Sequence, residues 1–174
     1  MTDPDLAELN AAPAPAAAEA LTPLFEGPPR FLARLVAARP FNDWGSLFEA
    51  ARAIAQSMPE AEQVELVDAH PRLGAPPGTV SAHSFREQGY GRETAPAGDG
   101  EIDVAAELER LNAAYEARFG FRYCVFAAGR PRAALLAGMA DALAADRDAE
   151  LHRALDAVVD IAMARHEAPR AAAG

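Results

Sequence analysis

The stretch EIDVAAELERLNAAYEARFG, residues 101–120, constrains the fold most. Leu108, Leu111, Tyr115 and Phe119 recur at i, i+3, i+7 and i+11, the spacing of one helix face, and Gly120 is placed to close it with a left-handed cap. The same period returns at Leu151, Leu155, Val158 and Ala162. Two long amphipathic faces of this kind need partners, and most of the chain supplies them. PPRFLARLVAARP predicts a helix entered through proline and ended by Pro40. FNDWGSLFEAARAIAQSM predicts another, capped by Asn42 or Asp43, with Leu47, Ala51 and Ile54 inward. PEAEQVELVDAH turns Val64 and Leu66 inward and Glu60, Glu62 and Glu65 largely outward. AHSFREQ, with Ser81 as cap, reads as a short helix, and RPRAALLAGMADALAAD as a longer one. FRYCVFAAG has strand-like composition but no partner strand, so it is expected to run as extended chain through the core. The low-complexity AAPAPAAAEA reads as a connector leading into a helix at LTPLFEG. The expectation is an all-α, single-domain bundle of about eight helices over residues 1–174. Its core spans about 21–167, with 1–15 and 168–174 flexible.

Composition removes several function classes. All 16 cationic side chains are arginine, so no Schiff-base lysine exists and pyridoxal phosphate chemistry is excluded. A net charge of −10 argues against nucleic acid and against anionic membrane surfaces. No apolar run reaches the roughly 18 residues that span a bilayer. The acidic start MTDPDLAELN lacks the regions of a signal peptide, and PRAAAG carries no peroxisomal address. With a single cysteine, Cys124, neither an internal disulfide nor a Cys-rich zinc site can form, and a cytoplasmic location is expected. No H-x-x-x-H or C-x-x-C spacing suggests a metal, and no G-x-S-x-G elbow suggests a serine nucleophile.

Three polar residues break the pattern. The stripe of the last helix continues onto Arg165, putting a guanidinium on the core side. Either the stripe has reached the surface and the arginine snorkels, or a desolvated cation awaits a carboxylate. In SAHSFREQG, Ser84 and Glu87 share a helix face beside Gln88; this is either a solvated surface turn or a cluster suited to urea-type groups. His70 stands at a helix end before Pro71. It can cap its own helix, or serve as an acid/base whose backbone the proline aims.

Taken in order, RPF (39–41), AHPRLG (69–74), SFREQ (84–88), LNAAYEARFGFRY (111–123) and the arginine of IAMARHE (161–167) resemble one family. It is 2-oxo-4-hydroxy-4-carboxy-5-ureidoimidazoline (OHCU) decarboxylase, and the resemblance runs from about Leu21 to Glu167. It implies an all-helical fold and cofactor-free conversion of OHCU to (S)-allantoin and carbon dioxide in urate breakdown. It also implies a homodimer.

The resemblance places the catalytic histidine on His70, with Glu87 and Arg165 as its catalytic partners. The substrate-binding set is Pro71, Ser84, Phe85, Arg86, Glu87, Gln88 and the segment Tyr123, Cys124, Val125, Phe126 and Ala127, the last acting largely through backbone. Glu87 is expected to favour the charged imidazolium, and Arg165 either to bind substrate charge or to anchor Glu87. The usual F-G-F-P-F stands here as FGFRY, so Arg122 replaces proline, which is expected to loosen a turn, and Tyr123 replaces phenylalanine. The loop between His70 and Glu87 is somewhat short, which bears on pocket shape. The rival from another class is a non-catalytic ureide-binding sensor or adaptor. Hydrolysis of 5-hydroxyisourate is a second rival, associated with a β fold that this sequence does not fit.

Overall fold

The computed structural model describes residues 5–75 and 103–168, and these form eight helices and no strand. They are α1 (Leu6–Ala11), α2 (Ala14–Phe25), α3 (Pro29–Ala37), α4 (Trp44–Ser57), α5 (Glu60–Asp68), α6 (Val104–Phe119), α7 (Arg132–Ala142) and α8 (Arg147–Glu167). The short helix expected over AHSFREQ lies outside the described residues.

Local chemistry sets the helix ends. Asp43 starts α4 with a reciprocal capping box: its Oδ1 accepts from the Ser46 N–H at 2.7 Å, and the Ser46 hydroxyl accepts from the Asp43 N–H at 3.2 Å. Asp103 and Asp146 cap α6 and α8 in the same sense, each accepting from two backbone N–H groups. Gly120 closes α6 at φ 80°, a conformation glycine adopts without steric cost.

The longest helix, α8, is the spine. It packs against α2, α4 and α5, while α3 joins α2 to α4 and α7 lies on α6. Its stripe of Leu151, Leu155, Val158 and Ala162 is buried, as is the Leu108–Leu111–Tyr115–Phe119 face of α6. Tyr115 gathers Phe119, Phe121 and Tyr123 around it, with ring centroids 4.6, 5.7 and 5.1 Å away. These edge-on and tilted contacts add about 0.5–1.5 kcal/mol per pair beyond burial. They also draw the extended segment after Gly120 down against α6. No helix among the described residues is long and apolar enough to cross a membrane.

Two expectations change. Residues 5–15, expected to be flexible, carry α1 and the start of α2. Asp5 caps α1, Leu9 is buried, and the carbonyls of Leu9 and Ala12 accept from Arg39 while Asn10 and the Phe41 backbone exchange two hydrogen bonds. On α5 the inward position next to Leu66 is Gln63, and Val64 is only half-buried. Gln63 is tolerated there because its amide donates to the carbonyls of Ala55 and Gln56 at the end of α4.

Candidate functional site

Helix α5 ends at Asp68, and Ala69 and His70 make the last tight turn before Pro71, which has no N–H to continue it. The His70 ring turns inward and is 4% exposed. Its Nδ1 faces the Leu66 carbonyl at 3.4 Å, whereas Nε2 is buried and meets no hydrogen-bond partner among the described residues. Placing the ring proton on Nδ1 satisfies that carbonyl and leaves the Nε2 lone pair free.

Burial pushes the His70 pKa down from 6.5 to about 4, and the nearby Arg165 charge pushes the same way. Glu26 and the Leu66 carbonyl oppose this more weakly. The ring is therefore neutral at physiological pH. A charged imidazolium was expected from Glu87, which lies outside the described residues; the carboxylate that bears on His70 here is Glu26.

Arg165 comes from the last turn of α8, and its side chain is 1% exposed. It does not snorkel. One Nη donates to the carbonyls of Pro23 and Leu24, at the C-terminal end of α2 where helix carbonyls lack internal N–H donors. The other pairs with Glu26 Oε1 at 2.8 Å. Glu26 itself sits at φ 58°, followed by Gly27 at φ 79°. A left-handed glutamate costs about 1–2 kcal/mol, and the charge-assisted bond to Arg165 offsets that. Glu26 was missed in the sequence; the available signal was an acid directly before a helix-ending glycine.

The third wall is the extended segment from Phe121 to Ala127. Its carbonyls are held from behind: Cys124 by Arg153 at 3.0 Å, and Phe126 and Ala127 by Arg130 at 2.9 and 3.0 Å. Arg153 is in turn fixed by Glu150, which also accepts from the Tyr115 hydroxyl at 2.6 Å. Among the described residues the backbone N–H groups of Tyr123, Val125, Phe126 and Ala127 donate to nothing. Buried or half-buried donors of this kind suit a ligand rich in carbonyl oxygen.

These walls enclose one recess with about 40 Å³ of water-accessible volume. His70, Pro71, Tyr123, Cys124, Val125, Phe126, Ala127 and Arg165 all line it, joined by Leu73 and Ile161, which the sequence reading had not singled out. Ser84, Phe85, Arg86, Glu87 and Gln88 lie outside the described residues. Among the described residues no three His, Cys, Asp or Glu side chains group as metal ligands would.

The Arg122 substitution does not loosen its turn. Its N–H donates to Asp68 Oδ1 at 2.8 Å, and its guanidinium donates to the carbonyls of Asp68 and His70 at 2.8 and 3.1 Å. A proline would lack all three bonds.

Comparison with known proteins bears on the family and the fold. The chain matches the OHCU decarboxylase family over residues 10–167. It is 30% identical over 140 residues to the mouse 2-oxo-4-hydroxy-4-carboxy-5-ureidoimidazoline decarboxylase, covering 79% of this chain and 76% of the mouse protein. It is 29% identical over 147 residues to the uric acid degradation bifunctional protein PucL of Bacillus subtilis (strain 168), covering 84% of this chain. The chain spans only 29% of the length of that bifunctional protein.

Two solved structures share the fold. One is an OHCU decarboxylase crystallised in the presence of (S)-allantoin, with a TM-score of 0.67 at 21% identity, covering 86% of this chain and 94% of that one. The other is an (S)-allantoin synthase, with a TM-score of 0.64 at 19% identity, covering 94% of this chain and 53% of that one. With the match running through α2, the His70 turn, the 121–127 segment and α8, the chain belongs to the OHCU decarboxylase family.

Proposed function

We propose that this chain decarboxylates OHCU to (S)-allantoin and carbon dioxide, with His70 moving the proton that sets the product's handedness. The observation that carries the reading is the free His70 Nε2, buried in the same recess as the Arg165 guanidinium.

The substrate provides its own electron sink. When the bond from C4 to the carboxylate breaks, its electron pair forms a C4–C5 double bond, and the pair of the C5 imine moves to the ring nitrogen, which takes a proton from solvent. Carbon dioxide leaves, and the remaining enol carries the C4 hydroxyl. A neutral imidazole can then accept the hydroxyl proton as C4 becomes a carbonyl, and deliver a proton to one face of C5. Overall, a carboxylate and one proton become carbon dioxide and allantoin.

A ring held neutral, with its outer nitrogen unprotonated, is ready to accept that hydroxyl proton. Arg165, bonded to Glu26 and two carbonyls, keeps a positive charge beside the recess where the substrate carboxylate must be held. The N–H groups of Tyr123, Val125, Phe126 and Ala127 suit the ring and ureido oxygens. In this reading Ser84, Glu87 and Gln88 complete the substrate's polar contacts.

The test is His70→Asn assayed with freshly prepared OHCU, following product by its optical activity. A loss of at least about 100-fold in kcat, with any allantoin formed no longer single-handed, is expected for removal of a positioned acid/base. Stereospecific product at the wild-type rate would overturn the role of His70. Binding of allantoin by the wild-type protein without turnover of OHCU would overturn the activity itself.

A further inference from the structure

Two backbone carbonyls at the end of α5 have no donor in their own helix: those of Asp68, its last residue, and of His70, whose successor is a proline. The Glu65 and Val67 carbonyls are used within the turn, by the N–H groups of Ala69 and His70, and the Leu66 carbonyl faces the His70 ring. The direction of the His70 peptide is therefore set from outside α5.

Arg122 does this. A single Nη1 spans the Asp68 and His70 carbonyls, and the Arg122 N–H holds the Asp68 carboxylate. Asp68 and Arg122 are thereby joined both ways, side chain to backbone and backbone to side chain, over 54 residues of sequence. Arg122 is also the residue immediately before the 123–127 wall, so one residue ties the His70 turn to that wall of the recess. A proton handler and the donors that orient its substrate must keep a fixed separation, because small displacements are costly in rate. Nothing else among the described residues bonds to the His70 carbonyl.

We propose that Asp68 and Arg122 form a clamp that positions His70 against the 123–127 wall, making Arg122 a positioning residue for the proton transfer. This rests on the proposed function for its catalytic readout, though the clamp itself can be tested without turnover.

Arg122→Met keeps the N–H bond to Asp68 and removes both carbonyl bonds. In the folded variant kcat should fall roughly tenfold with KM changed by less than about twofold, as expected when geometry rather than binding is lost. The allantoin formed should lose part of its single handedness. Arg122→Lys, which can still donate to one carbonyl, should recover much of the rate. The His70 ring nitrogen and carbon-bound proton resonances should move in Arg122→Met and return towards wild type in Arg122→Lys. Should Arg122→Met fail to fold, Arg122→Gln carries the same readouts.

Unchanged kcat and product handedness in a folded Arg122→Met would overturn the clamp, as would a rate loss that only tracks the unfolded fraction. If the wild-type protein does not turn over OHCU, the activity fails by itself. The ring resonances then decide alone: displaced in Arg122→Met they support the clamp, and unmoved they refute it.

Discussion

Helix α8 carries two arginine–glutamate pairs that solve opposite problems. At its start, Glu150 is the buried partner, 3% exposed in its side chain, and Arg153 covers it from a side chain 37% exposed. At its end the arginine is the buried partner: Arg165 is 1% exposed and Glu26 17%. The first pair is local, three residues apart, and it is saturated. Both Glu150 oxygens accept from Arg153, one also from Tyr115, and the remaining Arg153 nitrogen holds the Cys124 carbonyl while the guanidinium lies 5.0 Å over the Tyr123 ring. The second pair is made across 139 residues, and its arginine lines the recess. A saturated pair can only hold structure. A buried cation facing a recess can also meet a ligand.

The comparison breaks most sharply at Arg153. Arg153→Met leaves Glu150 buried with only the Tyr115 hydroxyl, and stranding a buried charge costs about 3–5 kcal/mol. At this size that is a fall in Tm of roughly 10 °C. Arg165→Met leaves Glu26, which reaches solvent, and two helix-end carbonyls, so its stability cost should be about 1–3 kcal/mol. Its larger effect should be a raised KM, since the positive charge for the substrate carboxylate is gone. Denaturant unfolding and steady-state kinetics on both variants check this. Equal stability losses with an unchanged KM in Arg165→Met would make both pairs structural.

The two pairs also differ in how far the sequence exposes them. Arg165 is visible because it interrupts a stripe of Leu151, Leu155, Val158 and Ala162, and a period is a local property. Its partner is not visible, because nothing local links Glu26 to a residue on the last helix. Glu150 sits beside the stripe and reads as first-turn acid favouring the helix dipole; that it is buried depends on Tyr115 and the 121–127 segment closing over it.

The same distinction holds for the rest. The faces of α6 and α8, the Gly120 cap and the histidine at a proline-stopped helix end follow from spacing and turn chemistry. The helix α1 was lost to its acidic, alanine-rich surroundings, although Asp5 before Leu6 and Leu9 was the signal. That FRYCVFAAG would run extended was legible. That arginines would take its carbonyls was not, since those contacts come from Arg153 on α8 and Arg130 just before α7.

A second prediction sharpens the role of Arg165 through its neighbour. His70 takes up a proton near pH 6.5 when unfolded but only near 4 when folded. Between those values the unfolded chain binds more protons, so stability falls as pH drops from about 6.5 towards 4. The loss should total about 3 kcal/mol, from the size of the displacement at 1.36 kcal/mol per pH unit. Unfolding free energies of wild type and His70→Asn across that window check it: the variant should lack this part of the acid loss. Arg165→Met, by removing a repelling charge, should make the loss smaller. An acid profile identical in wild type and His70→Asn would mean the ring is not held neutral by its surroundings.

The smallest change is Glu26→Gln. The amide oxygen can still accept from Arg165, so about 1 kcal/mol of stability should go with the charge assistance. The carboxylate also favours the charged form of His70, so its removal should push the His70 pKa lower still. The two shifts oppose each other at the same ring: Arg165→Met raises the pKa, Glu26→Gln lowers it. Titrating the ring by NMR in both variants reads this directly. Opposite displacements place His70 in the field of both partners of the pair, whereas parallel displacements would mean that each variant acts by moving the α5 turn. The sign of the difference thus tells whether the α8 end works on His70 through charge or through packing.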